Sequence, residues 1–156
     1  HFNRWAGEYA LLAGYHAVSH PSLPNYLALI SGDFFGIQDD CTDCFVAARS
    51  LPDVLEGAGR TWKAYVEGLP SPGFTGSSAG RYAMKHNPFV YFDAIRKNPA
   101  RLGRSVLPLD RLAADVEANA LPDFAFIVPD MCDSAHDCGV EVTDAWLERI
   151  VGRVLG

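Results

Sequence analysis

The run SHPSLPNYLALISG, residues 19–32, constrains the fold more than any other segment, because it holds both a helix start and a helix stop. Pro24 suits the first helical position, where its missing N–H costs nothing, and Gly32 suits the left-handed residue after a helix. Ser22 is therefore predicted at the mouth of a short helix. Free backbone N–H groups and the helix dipole favour a phosphate beside its hydroxyl. The alternative is that Ser22 is only an N-cap.

Length and composition indicate one folded unit. The chain has 156 residues, 49% of them hydrophobic, enough for one domain with a core. No apolar run approaches the roughly twenty residues that cross a bilayer, so no stable membrane insertion is expected. The net charge of −6 argues against nucleic-acid binding, which depends on clustered Lys and Arg.

Helical and apolar extended segments alternate along the chain, and this alternation predicts an α/β fold with a mostly parallel central sheet. Helices are predicted at residues 5–13, 24–31, 51–58 and 109–120, with a last helix capped by Thr143. Strands are predicted at residues 14–18, 61–66 and 123–129. The segment 123–129 is apolar almost throughout, as expected for a strand buried on both faces.

Three groups of polar residues follow predicted strands, and ligand sites in open α/β sheets form beyond the carboxyl ends of the strands. The groups are Ser22 with His20 and Asn25, then Glu67, then residues 130–137. Lys85 and His86 come from a loop. Phosphoryl transfer to an enzyme hydroxyl needs an activated nucleophile, cationic or N–H groups around the phosphate and an acid for the leaving group. These groups contain all of those side-chain types.

The run HPSLPNYLALISG resembles the signature of the bacterial phosphoesterase family. That family includes acid phosphatases, phosphatidylinositol-3-phosphatases and phospholipases C, within the alkaline-phosphatase-like superfamily. Three further blocks resemble the family in the same order: TWKAYVEGLP (61–70), YAMKHNPFVYF (82–92) and LPDFAFIVPDMCDSAHDC (121–138). The resemblance implies an alkaline-phosphatase-like layered sandwich with a mostly parallel central sheet.

The resemblance and the residues themselves together predict roles for single residues. Ser22 matches the nucleophile position, and its oxygen is a possible ligand of a divalent metal. His86 and His136 are expected to act on the phosphate or on the leaving group. The residues expected to bind substrate are His20, Asn25, Lys85 and Asp137.

The chain departs from the family pattern in two places. Family members resemble one another also in an upstream Glu-Asn pair and a downstream Asp-Glu pair that hold the metal, and neither pair is present here. Residues 1–156 are therefore interpreted as the central portion of a single phosphoesterase domain with an incomplete sheet. On this interpretation the main metal ligands lie outside residues 1–156. Without them, this fragment by itself is expected to lack the metal and to be inactive.

Four cysteines form two close pairs in the sequence, C-x2-C and C-x5-C. One interpretation is a zinc site and the other is a pair of disulfides. The resemblance to an exported family favours disulfides and a secreted or cell-envelope location. The expected bridges are Cys41–Cys44 and Cys132–Cys138.

The favoured hypothesis is a phosphomonoesterase that uses a seryl-phosphate intermediate and a divalent metal on a small-molecule or lipid phosphoester. The first alternative is a phosphodiesterase or phospholipase C on the same scaffold. An apolar rim would favour this lipid-directed alternative, and its candidate residues are Phe74, Phe89, Tyr91 and Phe92. The second alternative is a non-catalytic secreted binding module stapled by two disulfides.

Overall fold

Three parallel strands form the centre of the structure, a computed structural model that describes residues 1–155. The strands are β1 (Trp62–Val66), β4 (Val106–Pro108) and β5 (Phe124–Val128), in the order β4-β1-β5. Ala64 of β1 lies opposite Val106 on one side and Phe126 on the other. A short antiparallel pair, β2 (Ser78–Ala79) with β3 (Tyr82–Ala83), stands apart from this sheet. The predicted mixed α/β fold with a parallel sheet is confirmed.

The helices alternate with these strands. They are α1 (Phe2–Glu8), α2 (Ser22–Ser31), α3 (Leu51–Gly57), α4 (Asp93–Arg96), α5 (Pro99–Ser105), α6 (Asp110–Glu117) and α7 (Val140–Leu155). Two 3₁₀ turns, Met84–His86 and Pro88–Tyr91, lie between β3 and α4. No described helix is both long enough and apolar enough to cross a membrane.

The central strand β1 has apolar side chains on both faces, because successive strand residues point to opposite sides. Trp62, Ala64 and Val66 pack into the larger core cluster, together with buried residues of α2, α5 and the second 3₁₀ turn. Tyr65 points the other way and packs with Trp146 of α7 in the smaller cluster. The sheet is thus covered on both faces, as in a layered α/β fold.

Two helix boundaries depend on local chemistry. Ser50 and Asp53 form a capping box at the start of α3, as the sequence predicts. Helix α2 ends at Gly32, whose φ of 76° is the predicted left-handed conformation. Its start differs from the prediction, because Ser22 is the first helical residue and Pro24 the third.

Four other expectations about the elements are wrong. Residues 14–18 form no strand, and their backbone bonds are local: the Tyr15 N–H donates to the Leu12 carbonyl, and the amide oxygen of Asn25 accepts the N–H groups of Val18 and of the following Ser19. Strand β5 is only partly buried, because it lies at an edge of the sheet. Thr143 lies inside α7, since the helix already begins at Val140, and the first helix spans 2–8 and not 5–13.

Both cysteine pairs form local disulfides, Cys41–Cys44 and Cys132–Cys138, which confirms the expected bridges. No described cysteine is free. The alternative of a zinc site is thereby wrong for these residues, since a disulfide sulfur is not a thiolate ligand. The first bridge closes a short loop directly after Asp40, and the second closes the loop that contains His136 and Asp137.

A buried arginine joins α5 to α3. Arg101 is 6% exposed, and its guanidinium donates to Asp53 at 2.8 Å and to Glu56 at 3.1 Å. The same group donates to the carbonyl of Ala94 at 3.2 Å. Removing one partner of a buried ion pair leaves the other charge uncompensated, which costs more than the pair contributes.

We expect Arg101→Met to lower the free energy of unfolding by about 3 kcal/mol, because Asp53 loses its buried partner. Urea denaturation of the full-length protein measures this change. Arg104→Met on the same helix is the matched control. Its side chain is 60% exposed, and we expect a change within about 0.5 kcal/mol. Equal effects of the two variants would contradict the assignment.

Acid should remove part of the contribution that Arg101 makes to the free energy of unfolding. Burial raises the pKa of Asp53. The hydrogen bonds from the Ser50 N–H and the Arg101 guanidinium lower it by more than burial raises it, so the pKa lies below its ordinary value of 3.8. A carboxyl with a lowered pKa in the folded state stabilises above the unfolded pKa and loses that contribution as the pH falls. The difference in unfolding free energy between wild type and Arg101→Met should therefore be constant near neutral pH and shrink below 3.8. Urea titrations across this range measure it, and a constant difference would sink the explanation.

Candidate active site

Ser22 lies at the N-terminus of α2, where helix geometry presents unpaired backbone donors and the positive end of the dipole. The preceding residue, Pro21, carries no side chain that could cap the helix. The N–H of Leu23 is bonded at 2.9 Å by the carboxylate of Asp40, a residue from the loop between α2 and α3. The hydroxyl of Ser22 is thus left without a capping role, unlike the cap that the sequence offered as the alternative.

His86 is the hydrogen-bond partner of the Ser22 side chain. Its Nε2 atom lies 3.4 Å from the Ser22 Oγ atom. The imidazole is 5% exposed and stacks on Tyr26 of α2 with 4.9 Å between ring centroids. Because the 3₁₀ turn Met84–His86 packs against α2, the ring and the hydroxyl are held by the same core contacts.

The environment of His86 favours its neutral form. Burial and, after it, the nearby Lys85 charge together lower its pKa to about 4. Above that pH the ring therefore carries one proton and one lone pair. A neutral imidazole can accept a proton from a hydroxyl but has no extra proton to give. His86 is therefore better suited to act as a base than as an acid.

His136 lies on the loop that the Cys132–Cys138 disulfide closes. Its ring is 5.8 Å from that of His86, between centroids. The Nε2 atom lies 3.2 Å from the Lys85 ammonium, and the Nδ1 atom lies 2.7 Å from the Asp137 carboxylate. Because an ammonium only donates, Nε2 is assigned as the acceptor and Nδ1 as the protonated nitrogen that donates to Asp137.

Five of the predicted site residues therefore form one connected group: Ser22, Lys85, His86, His136 and Asp137. They come from three separate segments of the chain. Their proximity is a requirement of the predicted site, and their chemical roles stay predictions.

His20 and Asn25 have different surroundings. His20 is exposed, and its side chain makes no hydrogen bond within residues 1–155. The Asn25 amide donates to the carbonyls of Ser19 and Pro21, at 2.9 and 2.8 Å. Asn25 thus shapes the loop that leads to Ser22. A role of either residue in binding phosphate stays a prediction.

Two residues at the site escape sequence reasoning. Tyr26 supplies the ring under His86, and Asp40 links Leu23 to Lys85. Neither has a local signal, since Tyr26 reads as an ordinary helical aromatic and Asp40 as one of several acids near Cys41. Only the spatial approach of residues 40 and 85 distinguishes this carboxylate.

A second polar group, Glu67 with Asp130 and Asp133, lies where β1 and β5 end. Their carboxylate oxygens all lie within 4.8 Å of one another, and oxygen ligands of this kind suit Mg²⁺ or Ca²⁺. Burial raises the pKa of Glu67, and the two aspartates raise it further. Arg149 offsets part of this charge at 3.8 Å from Glu67 and 3.6 Å from Asp133. No hydrogen bond within residues 1–155 joins this trio to Ser22.

The expected apolar rim is wrong. Phe89, Tyr91 and Phe92 are fully buried in the main core cluster, and Phe74 packs on its periphery with its ring against Tyr82. These aromatic residues hold the second 3₁₀ turn against the sheet. They give no support to a lipid-binding surface at the site.

Several known proteins are similar to this sequence over nearly its full length. It is 34% identical to a probable acid phosphatase of Kluyveromyces lactis over 97% of the chain and 38% of that protein. It is 36% identical to an acid phosphatase of Aspergillus fumigatus over 92% of the chain and 34% of that protein. It is 36% identical to a phosphatidylinositol-3-phosphatase of Mycobacterium tuberculosis over 94% of the chain and 48% of that protein.

The chain spans less than half the length of each of these relatives. The sequence profile of the Phosphoesterase family matches residues 1–155. The matched region contains Ser22, His86 and His136. The connected group of five site residues therefore lies within the part of the chain that matches the family. On this match, and on the relatives' identity over most of the chain, the protein belongs to the phosphoesterase family.

Proposed function

We propose that the full-length protein hydrolyses phosphoesters, with monoesters as its preferred class, and that Ser22 is the nucleophile. The observation that carries this proposal is the 3.4 Å approach of the buried His86 imidazole to the Ser22 hydroxyl at the N-terminus of α2. A hydroxyl is a weak nucleophile until a neighbouring group takes its proton. The helix N-terminus favours the anion that this nucleophile would attack.

In the first proposed step, the Ser22 oxygen forms a bond to phosphorus and the hydroxyl proton passes to Nε2 of His86. The bond between phosphorus and the ester oxygen breaks, and the alcohol leaves with a proton that the Lys85–His136 pair supplies. In the second step, water attacks the phosphoserine and gives a proton back to the Lys85–His136 pair. The bond between phosphorus and the Ser22 oxygen breaks, inorganic phosphate leaves, and the proton held by His86 returns to restore the Ser22 hydroxyl. The N–H groups of α2 stabilise the phosphoryl oxygens in both steps, and the Lys85 ammonium does so as the substrate binds.

The family resemblance also implies a divalent metal. Such an ion would neutralise charge on the phosphoryl oxygens, and Ser22 would be one of its oxygen ligands. The described residues do not complete that site, because the partner of Ser22 is an imidazole and no hydrogen bond within residues 1–155 joins Ser22 to the acidic trio at Glu67. Metal dependence is therefore proposed for the full-length protein, and no step above is assigned to the ion.

The names of the relatives support the substrate class, a small-molecule or lipid phosphoester. Acid phosphatases and a phosphatidylinositol-3-phosphatase occur among them. The two disulfides are consistent with an oxidising compartment, and we propose an extracytoplasmic location.

We expect Ser22→Ala to reduce kcat for p-nitrophenyl phosphate by at least roughly a thousandfold, because the covalent route is lost. The measurement is release of p-nitrophenol by the full-length protein. Ser31→Ala makes the same change at the opposite end of α2 and should leave kcat within about twofold.

Circular dichroism and a thermal melt of both variants establish that they are folded. A folded Ser22→Ala variant with the same kcat as the wild type would refute the assignment of Ser22 as the nucleophile. Absence of turnover in the wild type itself would favour the non-catalytic module.

We expect the wild type to hydrolyse p-nitrophenyl phosphate faster than bis-p-nitrophenyl phosphate, and a chelator to abolish this turnover. The physical reason is that a site which neutralises a phosphoryl dianion favours the more highly charged monoester. Activity should return on dialysis against a divalent metal. Preference for the diester would instead support the phosphodiesterase alternative, and activity that resists the chelator would contradict metal dependence.

A further inference from the structure

Asp40 connects the nucleophile helix to the cationic side of the site. Its Oδ1 atom accepts the N–H of Leu23 at 2.9 Å, and its Oδ2 atom accepts the Lys85 ammonium at 3.0 Å. The carboxylate is 26% exposed and the Lys85 side chain 19% exposed, so both charges are partly withdrawn from water.

The anchor for this carboxylate is rigid. Leu23 is fully buried, so its N–H group cannot move without disturbing the main core. Asp40 also directly precedes Cys41, which the disulfide to Cys44 fixes and whose carbonyl accepts the Tyr91 hydroxyl at 2.9 Å. Asp40 therefore has a fixed position between the start of α2 and Lys85.

Lys85 needs such an anchor. A lysine side chain is flexible and carries a strongly hydrated point charge, so it loses conformational freedom when one position is imposed on it. The only other polar contact of its ammonium within residues 1–155 is Nε2 of His136, at 3.2 Å. A neutral imidazole nitrogen attracts the ammonium less strongly than a carboxylate does.

We propose that Asp40 is a positioning residue that holds Lys85 at the phosphate-binding side of Ser22. This inference rests on the proposed function. Asp40 itself is directed at Leu23 and Lys85, and it acts on substrate only through Lys85. Its negative charge beside a phosphate site would oppose binding if it were not paired with this ammonium.

The test is a double-mutant cycle in the full-length protein. Asp40→Asn keeps the size of the side chain and one oxygen for the Leu23 N–H, but it removes the charge that holds Lys85. We expect kcat/KM for p-nitrophenyl phosphate to fall by roughly tenfold to a hundredfold. In a Lys85→Met background, Asp40→Asn should change kcat/KM by less than about twofold, since the residue it acts through is gone.

Asp43→Asn is the matched control. It removes the same charge from the same exposed turn, and the Asp43 side chain makes no hydrogen bond within residues 1–155. It should leave kcat/KM and the melting temperature unchanged. An Asp40→Asn variant that behaves like Asp43→Asn would overturn the proposal. Equal effects of Asp40→Asn with and without Lys85 would also overturn it, because they would leave only a helix-capping role.

A second readout does not depend on activity. The rate of reaction with an amine-modifying reagent, followed by mass spectrometry, measures how firmly Lys85 is held. Lys97, whose side chain is 66% exposed, serves as the internal reference. We expect Lys85 to react several-fold faster in Asp40→Asn than in wild type or Asp43→Asn.

The two readouts separate the two proposals. If wild type lacks phosphatase activity but Lys85 becomes reactive in Asp40→Asn, the proposed function fails and the placement of Lys85 stands. If wild type is active and Lys85 reacts equally in all three proteins, the function stands and the role of Asp40 is refuted.

Discussion

The burial of β1 on both faces is the constraint on which the rest of the structure depends. This strand pairs in parallel with β4 and β5, and its side chains fill one core cluster on each side. Parallel neighbours require crossover connections, and the one between β1 and β4 carries Lys85 and His86. Ser22 lies on α2 before β1, and His136 follows β5, so it is the packing of these segments on the sheet that decides where the site forms.

The candidate site combines Ser22, on a helix held by the core, with polar side chains held by loops. Ser22 and Tyr26 belong to a helix whose apolar face is anchored in the core, and His86 stacks on that helix. Lys85 and His136 approach from two other segments, each fixed by contacts to a carboxylate. Preorganised donors of this kind stabilise a developing charge because they need not reorganise during the reaction.

Much of the fold follows from local patterns. The apolar run at 62–66 and the Ser50 cap are short-range signals, and the structure confirms both. The failures occur where neighbours override the local signal. Residues 14–18 have strand-like residues, yet their backbone makes local bonds, from the Tyr15 N–H to the Leu12 carbonyl and from the Val18 N–H to the Asn25 side chain. The aromatic residues near 89–92 read as a possible rim, yet they form core, because the sequence does not reveal which face of a 3₁₀ turn is covered.

The sequence by itself determined that a helix begins near Ser22, that two cysteine pairs are close enough for local bridges, and that histidines lie in family-like blocks. These features depend on a few adjacent residues, so backbone propensity and short loop closure suffice to specify them. Only the tertiary structure decided that His86 reaches Ser22 and that Asp40 links Leu23 to Lys85. Such contacts join residues far apart in the chain, and their positions follow from how the helices pack on the sheet. No local pattern contains that information.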